Sequence, residues 1–213
     1  MITRKDKKEN LRTNIILASQ IYRDKLAGRI FLYVIGEEYF EVVFQTDCFM
    51  HLTGVNSILN AQDFYKKSKD STLNSNQIYF DTRHPYAIAK RKLSYLHMLP
   101  QLTSSLVCII RDMQTLTLTY KIGITNINFT LGLTENTDFY GNKINNWFLP
   151  RTLRIKDKAI ENCADAEFVD FIFSRDASLS KYDTVNFISK SKSVPNSIKP
   201  MLSMHLIDTI FSM

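Results

Sequence analysis

The sequence predicts an α+β protein in which helices flank a mostly antiparallel sheet of about four to six strands. Three observations predict it. Near the start, Leu11, Ile15, Ala18, Tyr22 and Leu26 recur at helical spacing, and Gly28 stands where a helix would end. Further on, "SLVCIIR" and "TLTLTYKIGITNINFTLGL" are rich in β-branched residues that alternate with period two. Towards the end, helical patterning returns, so helices enclose a block of strands.

The elements follow in chain order. After the charged tail "MITRKDKKEN" and the first helix, "RIFLYVI" and "YFEVVF" flank Gly36 and predict a hairpin. "DCFMHLTGV" comes next, a short apolar turn that Gly54 would stop. "NAQDFYKKSK" is a short helix opened by Asn60, whose side chain can accept from a free amide of the first turn. "HPYAIAKRKLSYLHMLPQL" is a longer helix with its proline at the start. In the strand block, Leu116, Leu118, Tyr120, Ile122 and Ile124 share one parity, whereas Ile127, Phe129, Leu131 and Leu133 share the other. That slip predicts a turn or bulge near Thr125 and Asn126. "TENTDFYGNKINN" reads as a loop into a last strand, "WFLPRTLRI", which Pro150 consigns to an edge or a bulge. Helices are expected over "DKAIENCADAEFVDFIFSR" and "SIKPMLSMHLIDTIFSM", separated by a polar stretch. The expected division is residues 1–28 as tail and helix, 29–160 as core, and 161–213 as a helical extension packed on it.

Composition narrows the function classes. Hydrophobic content of 45% and charged content of 23% are enough for a packed core without metals or disulfides. A net charge of +6 suits a partner carrying phosphates. Cys48, Cys108 and Cys163 are far apart and no cysteine–histidine pair has metal-ligand spacing, so reduced thiols and no metal are expected. "NIILA" is too short for a signal-peptide core, and no run approaches the roughly 18 apolar residues of a membrane span. A soluble protein of the cytoplasm is expected, with no membrane partner and no cofactor. Walker-type GxxxxGK, GxGxxG, HExxH and GxSxG motifs are absent, which disfavours nucleotide motors, dinucleotide oxidoreductases, zinc peptidases and α/β-hydrolases.

Several residues carry chemistry, each with a plainer alternative. His51 either hydrogen-bonds backbone in its helical turn or moves protons near neutral pH. In "RHPYAIAKRK", Arg83, Lys90, Arg91 and Lys92 occur without one acid, and Lys92 falls within the apolar half of the helix. Its stem either covers the core while the amine snorkels, or its cation meets a phosphate. Thr117, Thr119 and Lys121 share the polar parity of one strand, and Asn128 and Thr130 that of the next. They make either a solvated face or a phosphodiester platform. Arg151 has the parity of Leu149, Leu153 and Ile155, so it needs an ion-pair partner or a ligand, while Thr152 and Arg154 point the other way. The apolar C-terminal helix, from Met201 to Met213, belongs in the core or in a self-association surface.

In combination, "VVFQTDCFMHLTGV", "AQDFYKK", "AKRKL", "NFTLGL" and "PRTLRI" resemble the motifs of a nuclease family of phages and mobile elements. It is the fourth of the phage families related to barnase, EndoU, colicin E5 and D, and RelE. The resemblance spans about residues 30 to 155. It implies a small α+β nuclease fold with a metal-independent site on its sheet, and RNA as substrate in toxin or host-takeover roles. Residue by residue, it places functional roles on His51, Thr53, Lys92, Arg151 and Thr152.

Metal-free RNA cleavage needs a base for the 2′-hydroxyl, cations for the charge on phosphorus and an acid for the leaving 5′-oxygen. The expected catalytic set is His51, Lys92, Lys121, Arg151 and Thr152. Thr53, Arg83, Lys90, Thr119, Asn128 and Arg154 are expected to bind substrate. The product would be a 2′,3′-cyclic phosphate. No second histidine or glutamate stands out as partner to His51: His97 faces elsewhere, and Glu37, Glu38 and Glu41 belong to the hairpin. The competing expectation is an inactive protein of this fold that binds and blocks a host or defence component.

Overall fold

In the computed structural model, residues 3–115, 119–156, 166–190 and 192–211 are described. Helix α1 (Arg4–Lys25) opens with a capping box between Thr3 and Asp6 and buries Leu11, Ile15, Ala18 and Tyr22. The hairpin of β1 (Arg29–Ile35) and β2 (Glu38–Val43) turns at Gly36, whose φ of 55° suits a residue without Cβ. Then come α2 (Cys48–Thr53), β3 (Asn56–Ser57), α3 (Ala61–Lys69) capped by Asn60, β4 (Ile78–Tyr79) and α4 (Tyr86–Leu96). Strands β5 (Cys108–Gln114), β6 (Thr119–Thr125), β7 (Phe129–Thr137) and β8 (Lys143–Ile155) make up the predicted β block. β9 (Ala166–Phe168), β10 (Phe171–Asp176), β11 (Thr184–Ile188) and α5 (Met204–Phe211) complete the chain.

The class is α+β as predicted, but the main sheet is larger than expected, with nine strands in the order β11-β10-β1-β2-β8-β7-β6-β5-β9. All neighbours are antiparallel except β2 and β8, which run parallel through Glu41–Trp147 and Val42–Phe148. β9 pairs with β5 and, after Val169 and Asp170, β10 pairs with β1. One short run therefore ties together strands that lie far apart in the sheet order. Arg111 of β5 spans the same gap, bonding Glu38 of β2 at 2.7 Å and Glu167 of β9 at 2.6 Å.

The extra strands come from residues expected to be helical or loop. "FVDFIF" carries Phe171, Ile172 and Phe173 in succession, all fully buried, because β10 has a covered face on both sides. A strand buried on both faces loses its alternation and imitates a helix in sequence. The part of that expected helix at residues 157–165, with Cys163, lies outside the described residues, as do Leu116, Thr117, Leu118 and Met213. The expected loop before the last strand is instead the end of β7, the start of β8 and a tight turn. There Asp138 accepts from the amides of Tyr140 and Asn142, both at 2.9 Å. The C-terminal helix begins at Met204 rather than Ser197, after a 3-10 turn at Lys199–Met201. It is amphipathic, with Leu206 buried and Met204 exposed.

The main core lies between the helices and one face of the sheet. Tyr22 of α1 packs edge-on against Phe44, Phe49 and Tyr65. On the opposite face, Ile30, Leu32, Val34, Phe171 and Phe173 are covered by Tyr182, Val194, Ile198, Leu202 and Leu206 of the C-terminal segment. Tyr182 donates to Glu41, and Arg175 lies over the Tyr182 ring at 5.3 Å. A third small cluster holds Ile110, Met113 and Tyr120. Tyr120 is thus separated from Ile122 and Ile124, which belong to the main core, although all three share a parity. Asp112, with φ 44°, sits on the paired strand where this change of face occurs.

Candidate active site

Helix α2 puts its histidine on the edge that meets β8. Cys48, Phe49, Leu52 and Thr53 are buried, His51 lies in the last turn, and Gly54 ends the helix in the left-handed region at φ 73°. A Cβ at Gly54 would lie 2.8 Å from the Lys92 side chain of α4. The glycine therefore serves twice: it stops α2 and lets Lys92 pass close against the turn.

The arginine reaches the site through a bulge. Gly132 pairs with Thr152 but Leu133 pairs with Pro150, so Arg151 has no opposite residue on β7. The extra residue switches the phase of β8. Leu149 therefore packs with the C-terminal cluster while Leu153 and Ile155 join the main core, which corrects the expectation that Arg151 shares one apolar face with all three. Pro150, having no N–H, sits at the bulge, one of the few positions in a sheet that its chemistry allows.

Freed from the alternation, Arg151 turns to α2, and its Nη1 lies 2.9 Å from His51 Nε2. A guanidinium can only donate, so Nε2 accepts and the neutral ring carries its proton on Nδ1. His51 and Arg151 line a small pocket with Asp47, Cys48, Thr134 and Pro150. Burial lowers the His51 pKa below 6.5, Arg151, Lys92 and His84 lower it further, and Asp47 opposes them. The ring is therefore neutral at pH 7, as a base must be. Lys92 falls from 10.5 to about 8 through burial, with Arg154 and Arg91 adding their repulsion. Burial also pushes the Cys48 thiol up to about 12, which makes it a poor nucleophile.

His84 is the component that the sequence reading missed. Asn56 of β3 pairs with Tyr79 of β4, so the loop after β4 returns beside the residues that follow α2. In that loop, Asp81 Oδ1 accepts from the amides of Arg83 and His84, both at 2.8 Å. Asn56 Nδ2 lies 2.9 Å from Asp81 Oδ2 and 2.9 Å from His84 Nδ1. These amide bonds, ahead of burial's opposing effect, hold the Asp81 carboxyl below 3.8, so it is ionised. The only hint in sequence was a histidine beside the proline that starts α4, and nothing there linked it to His51.

The other predicted residues divide clearly. Arg154 lies close enough to Lys92 to depress its pKa, and its Nη2 donates to Thr115 Oγ1 at 3.5 Å. Arg83 is exposed beside His84, and Lys90 is exposed on α4. Thr53 is fully buried, and its hydroxyl donates to Met50 O at 2.7 Å and accepts from Val55 N at 3.3 Å. Thr152 is buried against Gly132 and does not line the pocket. Thr119 and Lys121 are exposed on β6, where Lys121 approaches Asp112 at 4.0 Å. Asn128 belongs to the β6–β7 turn, where its amide donates to Asn126 Oδ1. Phe129 pairs with Ile155, so that turn is about 13 Å beyond Arg151 at roughly 3.3 Å per residue. Thr130 is buried rather than on an open platform. Arg151 contacts His51 and lines its pocket, Lys92 and His84 lie within electrostatic range of His51 without lining that pocket, and Thr119, Lys121, Asn128 and Thr152 do not line it either.

Comparison with known proteins adds one result. A family model described as PBECR4, phage-Barnase-EndoU-ColicinE5/D-RelE like nuclease4, matches residues 14–191. The chain belongs to this family. The PBECR4 match runs well beyond the motif-bearing stretch of residues 30 to 155 and takes in α1 from Asn14, β9, β10 and β11. The strands missed in the sequence reading are therefore part of the PBECR4 unit. No curated protein and no solved structure matches the chain. Among the described residues, no three histidine, cysteine, aspartate or glutamate side chains gather as metal ligands, and no helix is long and apolar enough to cross a membrane.

Proposed function

We propose that this PBECR4 nuclease is a metal-independent ribonuclease that cleaves RNA through a 2′,3′-cyclic phosphate. The observation that carries the reading is the contact of His51 Nε2 with Arg151 at 2.9 Å. A neutral imidazole acceptor and a guanidinium meet at one point, with the Lys92 amine in electrostatic range. A phosphodiester placed there would draw the guanidinium to its oxygens, where two parallel hydrogen bonds are available. His51 Nε2 is then released to accept the 2′-hydroxyl proton as the 2′-oxygen attacks phosphorus. Lys92 and Arg151 offset the charge that grows on the phosphoryl oxygens, the task a metal ion performs in other nucleases. Arg83 and Lys90 extend positive charge along the α4 side for the flanking backbone. A toxin or host-takeover role in the cytoplasm of a host cell fits the phage family.

The test is cleavage of RNA by purified protein in EDTA, with His51→Ala beside it. Cleavage yielding 2′,3′-cyclic ends, lost by at least about 100-fold in the variant while thermal unfolding is unchanged, supports the reading. Intact RNA across a broad substrate panel rejects it.

One observation favours the second reading, that the fold binds and blocks a host or defence protein. Phe139, Tyr140 and Ile144 at the end of the β7–β8 hairpin are 97%, 86% and 60% exposed. A stable complex with a host protein that survives His51→Ala and is lost on Phe139→Ser with Tyr140→Ser supports that reading.

A further inference from the structure

The proposed reaction has a base but no acid for the leaving oxygen, and the loop between β4 and α4 holds a group built for that task. His84 is fixed on one side only. The Asp81 carboxylate accepts and cannot donate, so the Asn56 nitrogen 2.9 Å from it must be the donor. The second N–H of that amide then points to His84 Nδ1, also at 2.9 Å. In the neutral ring Nδ1 therefore accepts and Nε2 carries the hydrogen, directed away from the loop. In the charged ring Nδ1 also carries hydrogen, and the acceptor within reach is Asp81 Oδ1, 3.8 Å away. The charged ring, with a hydrogen on each nitrogen, is the form that can give up the Nε2 proton and remain a neutral imidazole.

His51 is the complement. Its Nε2 is held as an acceptor by Arg151, and Asn56, which holds His84, comes two residues after the Gly54 that ends the His51 helix, so the charge of His84 acts on His51. One imidazole thus presents a lone pair and the other a hydrogen, to the same neighbourhood. With 43% of its side chain exposed, His84 is also open to a substrate. Asp81 fixes the loop through two backbone amides at 2.8 Å and, by accepting from Asn56, fixes the amide that holds the ring.

We propose that His84 is the general acid of this site, with Asn56 and Asp81 as its positioning residues. This rests on the ribonuclease reading above. In the step, the 2′-oxygen forms its bond to phosphorus as His51 Nε2 takes the 2′ proton, and the bond from phosphorus to the 5′-oxygen breaks. His84, in its charged form, gives the Nε2 proton to that leaving oxygen and is left neutral with its remaining hydrogen on Nδ1, on the Asp81 side. Each proton lost or gained by a ring is returned through solvent, so the cycle needs no further reactant.

The leaving group supplies the test. Wild type, His84→Gln and Asn56→Ala are compared on the shortest RNA that the wild type cleaves. The same RNA is then used with sulfur in place of the bridging 5′-oxygen at the cleaved bond, because a thiolate departs without an acid. The expected result for His84→Gln is a loss of at least about 100-fold on the natural RNA and a rate within a few-fold of wild type on the sulfur-bridged RNA. Asn56→Ala, which leaves the ring but frees it, should show a smaller loss with the same recovery. Equal losses on both RNAs, or no loss on the natural one, overturn the assignment while leaving the ribonuclease reading in place. Wild type inert on both RNAs overturns that reading and the acid with it.

Discussion

Lys92 should cost the fold stability that the site uses. Its ammonium lies in a half-buried position among cations, and its pKa falls from 10.5 to about 8. In the unfolded chain the same amine stays protonated up to about 10.4. Below pH 8 both states are charged, and the folded state bears the full penalty of holding an ammonium where burial and Arg154 oppose it. At about 1.4 kcal/mol per pKa unit, the drop from 10.5 to about 8 corresponds to a ceiling of about 3.5 kcal/mol. Residual solvent contact reduces this, so about 1–3 kcal/mol is the expected range. Between pH 8 and 10.5 the unfolded state binds more protons, so this penalty fades as pH rises. Lys92→Met keeps the stem that passes Gly54 and removes the charge. Urea unfolding at pH 7 should show the variant more stable than wild type by that amount, and the gap should narrow by pH 10 even as RNA cleavage falls. A variant less stable at pH 7, or a gap that widens with pH, would refute the reasoning.

Other consequences can be measured directly. The base limb of the pH profile for kcat/KM should lie below 6.5, because His51 must be neutral and burial, Arg151, Lys92 and His84 all favour that form over the opposing pull of Asp47; Arg151→Gln should move the limb to higher pH, and a move to lower pH contradicts the geometry. Gly54→Ala should lower stability by about 1–2 kcal/mol from its left-handed backbone alone, and more from the 2.8 Å approach to Lys92, read by urea unfolding; a neutral effect excludes the close passage of α4. Tyr182→Phe removes a hydrogen bond to the half-buried Glu41 and should cost about 1.5–3 kcal/mol without changing cleavage. Asn60→Ala removes the cap that accepts from Asp63 N at 2.8 Å and should cost about 1 kcal/mol.

The local elements were legible where one side faces water. α1, α3 and α4 show helical spacing, with the α3 cap at Asn60, although α1 starts at Arg4, inside the stretch expected to be a charged tail, and the β1–β2 hairpin and the β6–β7 turn fall where the pattern breaks. β10 was misread because burial on both faces leaves no period to detect. The outer reaches of β7 and β8 were read as loop because their exposed residues are mostly polar, although cross-strand pairing continues out to Thr137 and Lys143.

The site divides in the same way. His51, Lys92 and Arg151 could be picked out from sequence because each is a polar residue at an apolar or turn position, and because the motifs around them resemble those of the PBECR4 family. Their meeting depends on contacts that span the chain. The bulge that turns Arg151 towards α2 follows from the register of β7 with β8, in which Gly132 faces Thr152 and Leu133 faces Pro150. The pairing of β3 with β4 sets Asn56 beside the Asp81–His84 loop and brings His84 within electrostatic reach of His51. Sequence by itself determined which residue types and which local elements were available, since spacing and capping act within a few residues. Tertiary structure decided which of them share a pocket, because strand register and helix packing depend on partners far along the chain, 100 positions apart in the case of His51 and Arg151.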